Sequence, residues 1–343
     1  MLASIDYGHN SIKAGTVTKK AYIENLVSDD IKHIPYLNSF NDSYNWLNNL
    51  RVRFSETGEE YFIGEQVRKA AINPVRNNYD GDFKSRKSKV IINTALSYLS
   101  MDNEKEEKEL DLLLTLPVSS YFKHAEQMKK EYLNKTIKTE LYNYEKDRYI
   151  QSNFKTNNVL VKPQGFTALM NYLLDDKGNI KDDKIEEAKK LITVIDIGWF
   201  STDDYSVENL TPLPSGESKI NGIGDAYRKI TNKINEKYDL EKKPFEIEKL
   251  INTKEIKVNG KVYNESKLVK LYFKNFAEDI FSELKNQLKH FNETDLFFIT
   301  GGGSIHVGNY LADMIMNESK ISENPLFDNQ EGGLKWLIRK TNQ

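Results

Sequence analysis

The sequence contains no cysteine, which excludes disulfides, thiolate nucleophiles and cysteine-ligated metal sites. Its five histidines, His9, His33, His124, His290 and His306, are scattered, with no pair at metal-ligand spacing. No apolar run approaches the ~20 residues that span a bilayer. Met1 to Ile5 leads straight into a strand-like segment without a signal-peptide pattern. A soluble, cytoplasmic chain with no membrane role is therefore expected. Neither charge is in excess: 49 Lys and Arg face 51 Asp and Glu, a formal net charge of −2. A dedicated nucleic-acid binder carries a basic surplus on one face, so direct DNA or RNA binding is not expected. Hydrophobic residues make up 38% and charged residues 29% of 343 residues, enough for a sizeable core. That length fits two domains.

Glycine is sparse but conspicuously placed. Ile5-Asp6-Tyr7-Gly8-His9-Asn10-Ser11-Ile12-Lys13 is an apolar run ending in an aspartate and a glycine turn. Val194-Ile195-Asp196-Ile197-Gly198-Trp199-Phe200-Ser201-Thr202-Asp203 repeats that order. A glycine triplet, Gly301-Gly302-Gly303, followed by Ser304, closes a third apolar run, Leu296 to Thr300. Glycine lets a backbone come close to a phosphate, and successive N–H groups in such a turn form an anion-binding nest. Gly8, His9, Asn10 and Ser11 in the first turn, and Gly198, Ser201, Thr202 and Asp203 in the second, are the candidate phosphate contacts. Lys13 supplies a cation for the terminal phosphates. Asp6 and Asp196 would repel phosphate unless a partly hydrated magnesium ion lay between. Each turn alone is equally an ordinary hairpin; the pair with the triplet points to two related halves gripping one phosphorylated ligand.

The remaining pattern supports two halves. Leu2–Ile5, 11–18 and 21–27 form a strand meander, and 51–55 with 60–64 a hairpin. Helical spacing marks 87–99, 124–133 and 166–174. The run 103–109 is nearly all charge and is expected to be a solvated loop. Buried strands are expected at 110–116, where the run ends at Pro117, and at 157–161. The second half opens with a strand at 191–197, followed by a strand at 205–208, a glycine-rich connector at 215–223 and a helix at 225–238. An Asn259-Gly260 hairpin, a long amphipathic helix over 267–290, the strand 296–300 and a helix to Met316 complete it. An α/β architecture follows, with ligand at the carboxyl ends of the strands. Gly222 and Gly224, at the start of the 225–238 helix, either approach the ribose and diphosphate at a helix N-terminus or simply begin the helix. His306 either lies near the base or caps a helix.

These segments resemble the bacterial actin-like ATPases, in particular the ParM-type plasmid-segregation branch, over nearly the whole chain. The two aspartate turns resemble the family's phosphate loops, and Ile299-Thr300-Gly301-Gly302-Gly303-Ser304 its adenosine loop. Those three are shared with sugar kinases and heat-shock chaperone ATPases. Tyr61-Phe62-Ile63-Gly64-Glu65, Leu113-Leu114-Thr115-Leu116-Pro117-Val118 and Pro325-Leu326-Phe327-Asp328-Asn329-Gln330-Glu331-Gly332-Gly333 resemble segments typical of the actin-like branch. Thr115 stands where relatives often have glycine, and Trp199-Phe200 makes the second loop bulkier than usual. The resemblance implies an actin-like fold, two RNase H-like domains around a nucleotide cleft, with domain I at 1–164 plus 325–343 and domain II at 165–324.

It also implies a catalytic set. Hydrolysis of a nucleoside triphosphate needs an oriented water and charge neutralisation on the γ-phosphate. Gln164, between a strand end and a helix start, corresponds to the family's water-positioning residue; otherwise it merely caps the helix from Phe166. A glutamine orients rather than deprotonates, so slow turnover is expected. Asp6 and Asp196 complete the set as carriers of Mg2+ through water. The implied ligand is ATP or ADP, with GTP also open. The implied function is a polymerising ATPase whose filaments segregate or position plasmid DNA. Its implied partners are further copies of itself and a small DNA-binding adaptor on a centromere-like site. A soluble small-molecule kinase of the same superfamily and an actin-like scaffold for another cargo are the alternatives.

Overall fold

The apolar runs before the two acidic turns are both central strands. The computed structural model describes residues 1–8, 10–30, 47, 49–70, 75–76, 86–101, 108–144, 146–214 and 220–342. The chain divides into two compact units, Met1–Lys181 with Phe327–Gln343, and Asp182–Leu326.

In the first unit, strands β1 (Leu2–Tyr7), β2 (Ser11–Gly15) and β3 (Lys20–Glu24) form the expected meander. There follow β4 (Leu26–Ser28), β5 (Leu50–Phe54), β6 (Glu60–Ile63), helix α1 (Glu65–Ala70), β7 (Val75–Arg76) and α2 (Arg86–Ser100). Next come β8 (Lys108–Leu116), α3 (Val118–Tyr132), β9 (Thr136–Asn143), β10 (Arg148–Pro163) and α4 (Phe166–Leu173). The sheet order is β3-β2-β1-β8-β10-β9-β5-β6-β4-β7, with β1, β8 and β10 mutually parallel. Its core includes Ile5, Ile12, Leu96, Leu112, Leu114 and Phe154, all shielded from solvent. Burying each such side chain contributes ~1.5–3 kcal/mol.

The second unit contains β11 (Leu191–Ile197), β12 (Ser201–Glu208), β13 (Thr211–Pro212), β14 (Ile220–Asn221), α5 (Gly224–Tyr238) and α6 (Glu248–Thr253). The hairpin β15 (Glu255–Val258) and β16 (Lys261–Asn264) precedes α7 (Ser266–Gln287), β17 (Leu296–Thr300), α8 (Ser304–Met314) and β18 (Glu318–Ile321). The final helix, α9 (Asp328–Thr341), belongs to the first unit. The sheet order β13-β12-β11-β17-β18 repeats β3-β2-β1-β8-β10. The senses repeat too: antiparallel between β11 and β12, parallel through β17 to β18. The two halves inferred from the turns are thus the same supersecondary plan built twice.

Several expectations need correction. By internal packing the first unit runs past 164 to Lys181 and resumes at Phe327, with α4 packed on α9 within it. There, Gly332 lies so close to α4 that a Cβ would overlap the Thr167 carbonyl oxygen. Helix α3 begins at Val118, earlier than 124, because its largely exposed first turns give little apolar periodicity. Strand β10 is far longer than 157–161, and β9 was not foreseen. Their inward positions include Thr139, Ser152 and Thr156, which break the hydrophobic alternation. Ser100 Oγ of α2 lies 2.9 Å from Ser152 Oγ, and the Ser97 and Thr139 hydroxyls also meet, so hydroxyl pairs satisfy that face. Edge strand β18 is polar and was likewise unforeseen; its Lys320 reaches Glu187 at 2.9 Å. Most of the charged run 103–109 and of the connector 215–223 lies outside the described residues.

Candidate functional site

Parallel pairing brings the carboxyl ends of β1, β8 and β10 together. Asp6 sits beside Thr115, and Thr115 beside Lys162, in register. Two residues after Lys162 comes Gln164, whose N–H donates to the Leu116 carbonyl at 2.6 Å. Its side-chain Nε2 donates to Asp6 Oδ1 at 2.6 Å. The Thr115 hydroxyl donates to that same oxygen at 2.8 Å. Lys13, opposite Asp6 on β2, places its ammonium 3.5 Å from Asp6 Oδ2. Asp6 and Gln164 are both buried, Asp6 at 3% exposure. A buried carboxylate is tolerated only when hydrogen-bonded and paired, and here two donors and a cation meet that demand. The arrangement also fixes the amide of Gln164: Nε2 faces Asp6, so Oε1 is the atom left to accept from a water. No side chain caps α4, so Gln164 does not play the helix-capping role.

The turn after Asp6 is held from behind by Asn25, which sequence reasoning missed. Its Nδ2 donates to the Gly8 carbonyl at 3.1 Å, and its N–H to the Asn10 carbonyl at 2.9 Å. A Cβ on Gly8 would stand 2.7 Å from the Ser11 carbonyl oxygen, so glycine is required for this tight turn. His9 lies outside the described residues. Thr115 was also passed over, since its departure from the usual glycine carried no hint that its hydroxyl reaches Asp6.

In the second unit Asp196 occupies the position matching Asp6. It pairs in register with Asp203 on β12 and with Thr300 on β17, as Asp6 pairs with Lys13 and Thr115. The Gly198 N–H donates to the Ser201 carbonyl at 2.9 Å, closing the turn. Gly301 has φ +82°, and a Cβ there would collide with the Asp196 carboxylate and stand 2.6 Å from the Ile197 nitrogen. Gly303 N–H donates to the Ile197 carbonyl at 2.8 Å. The Ser304 hydroxyl turns back to the Gly301 carbonyl at 2.8 Å. The glycine triplet is therefore laid directly against the second aspartate turn. Burial pushes the Asp203 carboxyl above its ordinary range, opposed by the Ser201 hydroxyl that donates to it at 2.8 Å.

Four of the candidate residues have partners within the second unit. The Thr202 side chain is fully buried and gives its hydroxyl proton to the Asn221 carbonyl at 2.9 Å, so that donor is committed inside the sheet. Gly222 and Gly224 back the bulky Trp199-Phe200 turn: their N–H groups donate to the Phe200 and Trp199 carbonyls, each at 2.9 Å. A Cβ at Gly222 would stand 2.6 Å from the Phe200 carbonyl carbon. Those glycines thus make room for Trp199 and Phe200. His306 neither caps α8 nor lies open. It stacks on Phe273 at 5.0 Å, its Nε2 lies 3.1 Å from the Tyr227 hydroxyl, and burial with the Lys254 charge pulls its imidazole down to about 4.

The residues fit a magnesium nucleotide. In each unit a tight glycine turn follows the strand-end aspartate, Asp6 in the first and Asp196 in the second, and the partly exposed Lys13 ammonium stands beside Asp6. Among the described residues no group of three or more acidic or histidine side chains could hold a metal unaided. Phosphate oxygens and water would have to complete a magnesium shell, as that ion prefers.

Comparison with known proteins agrees with this geometry. Residues 4–166 match the family model of actin like proteins, N terminal domain. Residues 194–313 match that of the archaeal actin homologue MreB-like C-terminal domain. The chain belongs to the actin-like proteins. Among solved structures, an archaeal actin homolog superposes with a TM-score of 0.80 at 16% identity, covering 99% of each chain. The same homolog in complex with ADP gives 0.75 at 16% identity, over 100% of this chain and 99% of that one. ParM in a 15-stranded filament from Clostridium botulinum gives 0.79 at 18% identity, covering 99% of each. These likenesses show the actin-like fold. One curated sequence, a DNA-directed RNA polymerase subunit beta of Euglena longa, is 26% identical over 235 residues. Those residues are 67% of this actin-like chain and 19% of that subunit, so the likeness carries no activity across.

Proposed function

We propose that this actin-like chain is a nucleotide-dependent, polymerising ATPase of the ParM type, whose filaments move or position plasmid DNA. The observation that carries the reading is the Gln164–Asp6 hydrogen bond at the joined ends of β1, β8 and β10. It leaves Gln164 Oε1 to orient a water, while Asp6 would hold a hydrated magnesium ion through its water. When bound, that ion would neutralise developing charge on the β- and γ-phosphates. The turn at Gly8, Asn10, Ser11 and Lys13 takes phosphate oxygens in the first unit. Gly198 and Ser201 take them in the second, with Asp196 facing the ion through water and the Gly301–Ser304 loop on the adenosine side. Chemistry at Gln164 is orientation without strong base catalysis, so turnover is slow.

Support for self-assembly comes from the fold shared with the Clostridium botulinum ParM filament, and support for the nucleotide from the archaeal homolog's ADP complex. A γ-phosphate would make contacts that a diphosphate lacks, and only such differential contacts shift a conformational equilibrium. Head-to-tail association of identical copies is an open heterologous contact and builds filaments. A small DNA-binding adaptor is the partner expected to connect the filament to its cargo, since the chain itself has no basic surplus. Sedimentation of the purified protein with ATP, ADP or no nucleotide tests the reading. Pelleting with ATP above a threshold concentration, and loss of the pellet with ADP, is expected. A monomer under all three conditions that phosphorylates a small hydroxylated metabolite would replace filament with kinase.

A further inference from the structure

Gln164 is fixed by more than its own contacts. Its N–H is held by the Leu116 carbonyl at 2.6 Å. The next peptide, joining Gln164 to Gly165, is held by a residue far along the chain. The Gly165 N–H donates to Asn329 Oδ1 at 3.1 Å, and the Thr167 hydroxyl donates to the same oxygen at 2.9 Å. Gly165 has φ +80°, a conformation with little intrinsic preference for any one peptide orientation when the residue is glycine. Something outside the loop must therefore select the orientation, and Asn329 is the side chain placed to do so. Asn329 is itself 7% exposed and rests on the first turn of α9. That helix is seated without slack: a Cβ on Gly332 would meet the α4 backbone, and one on Gly333 would stand 2.9 Å from Leu113 on β8.

We infer that Asn329 is a positioning residue for hydrolysis: by holding the Gln164–Gly165 peptide it aims the Gln164 side chain at Asp6 and the water. The inference rests on the proposed ATPase reading and deepens it. The link explains why the C-terminal segment, distant in sequence from every phosphate turn, is packed against the strand end that carries Gln164.

The test compares phosphate release and nucleotide affinity in Asn329→Leu, which keeps volume but loses the acceptor, and in Asn329→Asp, which keeps an acceptor oxygen. Asn329→Leu should slow release at least about tenfold, with affinity for ATP within about threefold of wild type, the signature of an interaction made for the transition state. Asn329→Asp should recover most of the rate. In a Gln164→Ala background, adding Asn329→Leu should cost nothing further, because residues acting as one unit are non-additive. A multiplicative loss in the double variant overturns the inference, as does a wild-type rate in Asn329→Leu. A wild-type protein that hydrolyses no nucleotide overturns the ATPase reading and this inference with it. Hydrogen exchange on the unsubstituted protein is a check independent of any variant's folding. The Gly165 amide should be protected like the interior of α4, and fast exchange at that amide contradicts the inference.

Discussion

Replacing Gly332 by alanine asks whether α9 is seated as tightly as its glycine implies. The added Cβ would overlap the Thr167 carbonyl oxygen and stand 2.6 Å from the Asn171 nitrogen, where real Cβ atoms essentially never come under 3.0 Å. Both obstacles are α4 backbone, so no rotamer change relieves them, and one helix must move away from the other. Overpacking that side chains can absorb costs ~1–3 kcal/mol; here the cost should reach the top of that range or exceed it. A loss of ~3 kcal/mol lowers a urea midpoint by roughly 1 M when the slope is near 3 kcal/mol per molar. Gly15→Ala is the control. The three atoms nearest its Cβ would all lie at the end of the Gln330 side chain, with Cδ at 2.7 Å; that side chain is fully buried and must repack, but no backbone has to move, so the cost should be clearly smaller than for Gly332→Ala. Movement of α9 also carries Asn329 off Gly165, so Gly332→Ala should hydrolyse ATP more slowly even where it remains folded. Equal urea midpoints for wild type and Gly332→Ala would refute the packing argument.

Three further outcomes are expected. Gln164→Ala should slow phosphate release by roughly 100-fold while nucleotide affinity stays within a few-fold; release at the wild-type rate removes Gln164 from the mechanism. Thr115→Val deletes the hydroxyl that donates to Asp6 while keeping shape. It should cost ~1.5–3 kcal/mol of stability, the range for hydrogen bonds to charged groups, and an unchanged melting curve would show that bond to be idle. His306, held down to about 4 from 6.5, is neutral in the folded chain at pH 7. Below about 6.5 the unfolded chain binds the proton first, so stability should fall as pH drops towards 4, by up to about 3 kcal/mol. In His306→Phe that part of the pH dependence should vanish; an identical pH profile for both proteins would show that His306 does not titrate as its burial implies.

The turns, strand ends and glycine triplet were legible in the sequence because their chemistry is local. An aspartate at a strand end, a glycine turn and the antiparallel return strand occupy about ten consecutive residues. Asp6 and Gln164 could be named separately for the same reason. Their meeting through β8 could not, since it depends on parallel register between strands far apart in the chain. Thr115, Asn25 and Asn329 were missed on that account: each acts on a partner supplied by another element. Strand β9 and the part of β10 before 157 were hidden by Thr139, Ser152 and Thr156, polar side chains at inward positions that are satisfied by α2, by the end of α3 and by each other's strands. The packing of Gly222 and Gly224 against Trp199 could not be read from the sequence, because the turn's shape decides that contact.

Phosphate release and light scattering recorded together, after ATP and magnesium are added to the purified protein, test the central claim most directly. Scattering should rise above a critical protein concentration, persist while ATP remains, and fall as released phosphate reaches the level of ATP supplied. In Gln164→Ala the rise should occur and the fall should be delayed in proportion to the slowed release. Scattering that ignores nucleotide, or filaments that disassemble on the wild-type schedule in Gln164→Ala, would contradict a polymer governed by hydrolysis at Gln164.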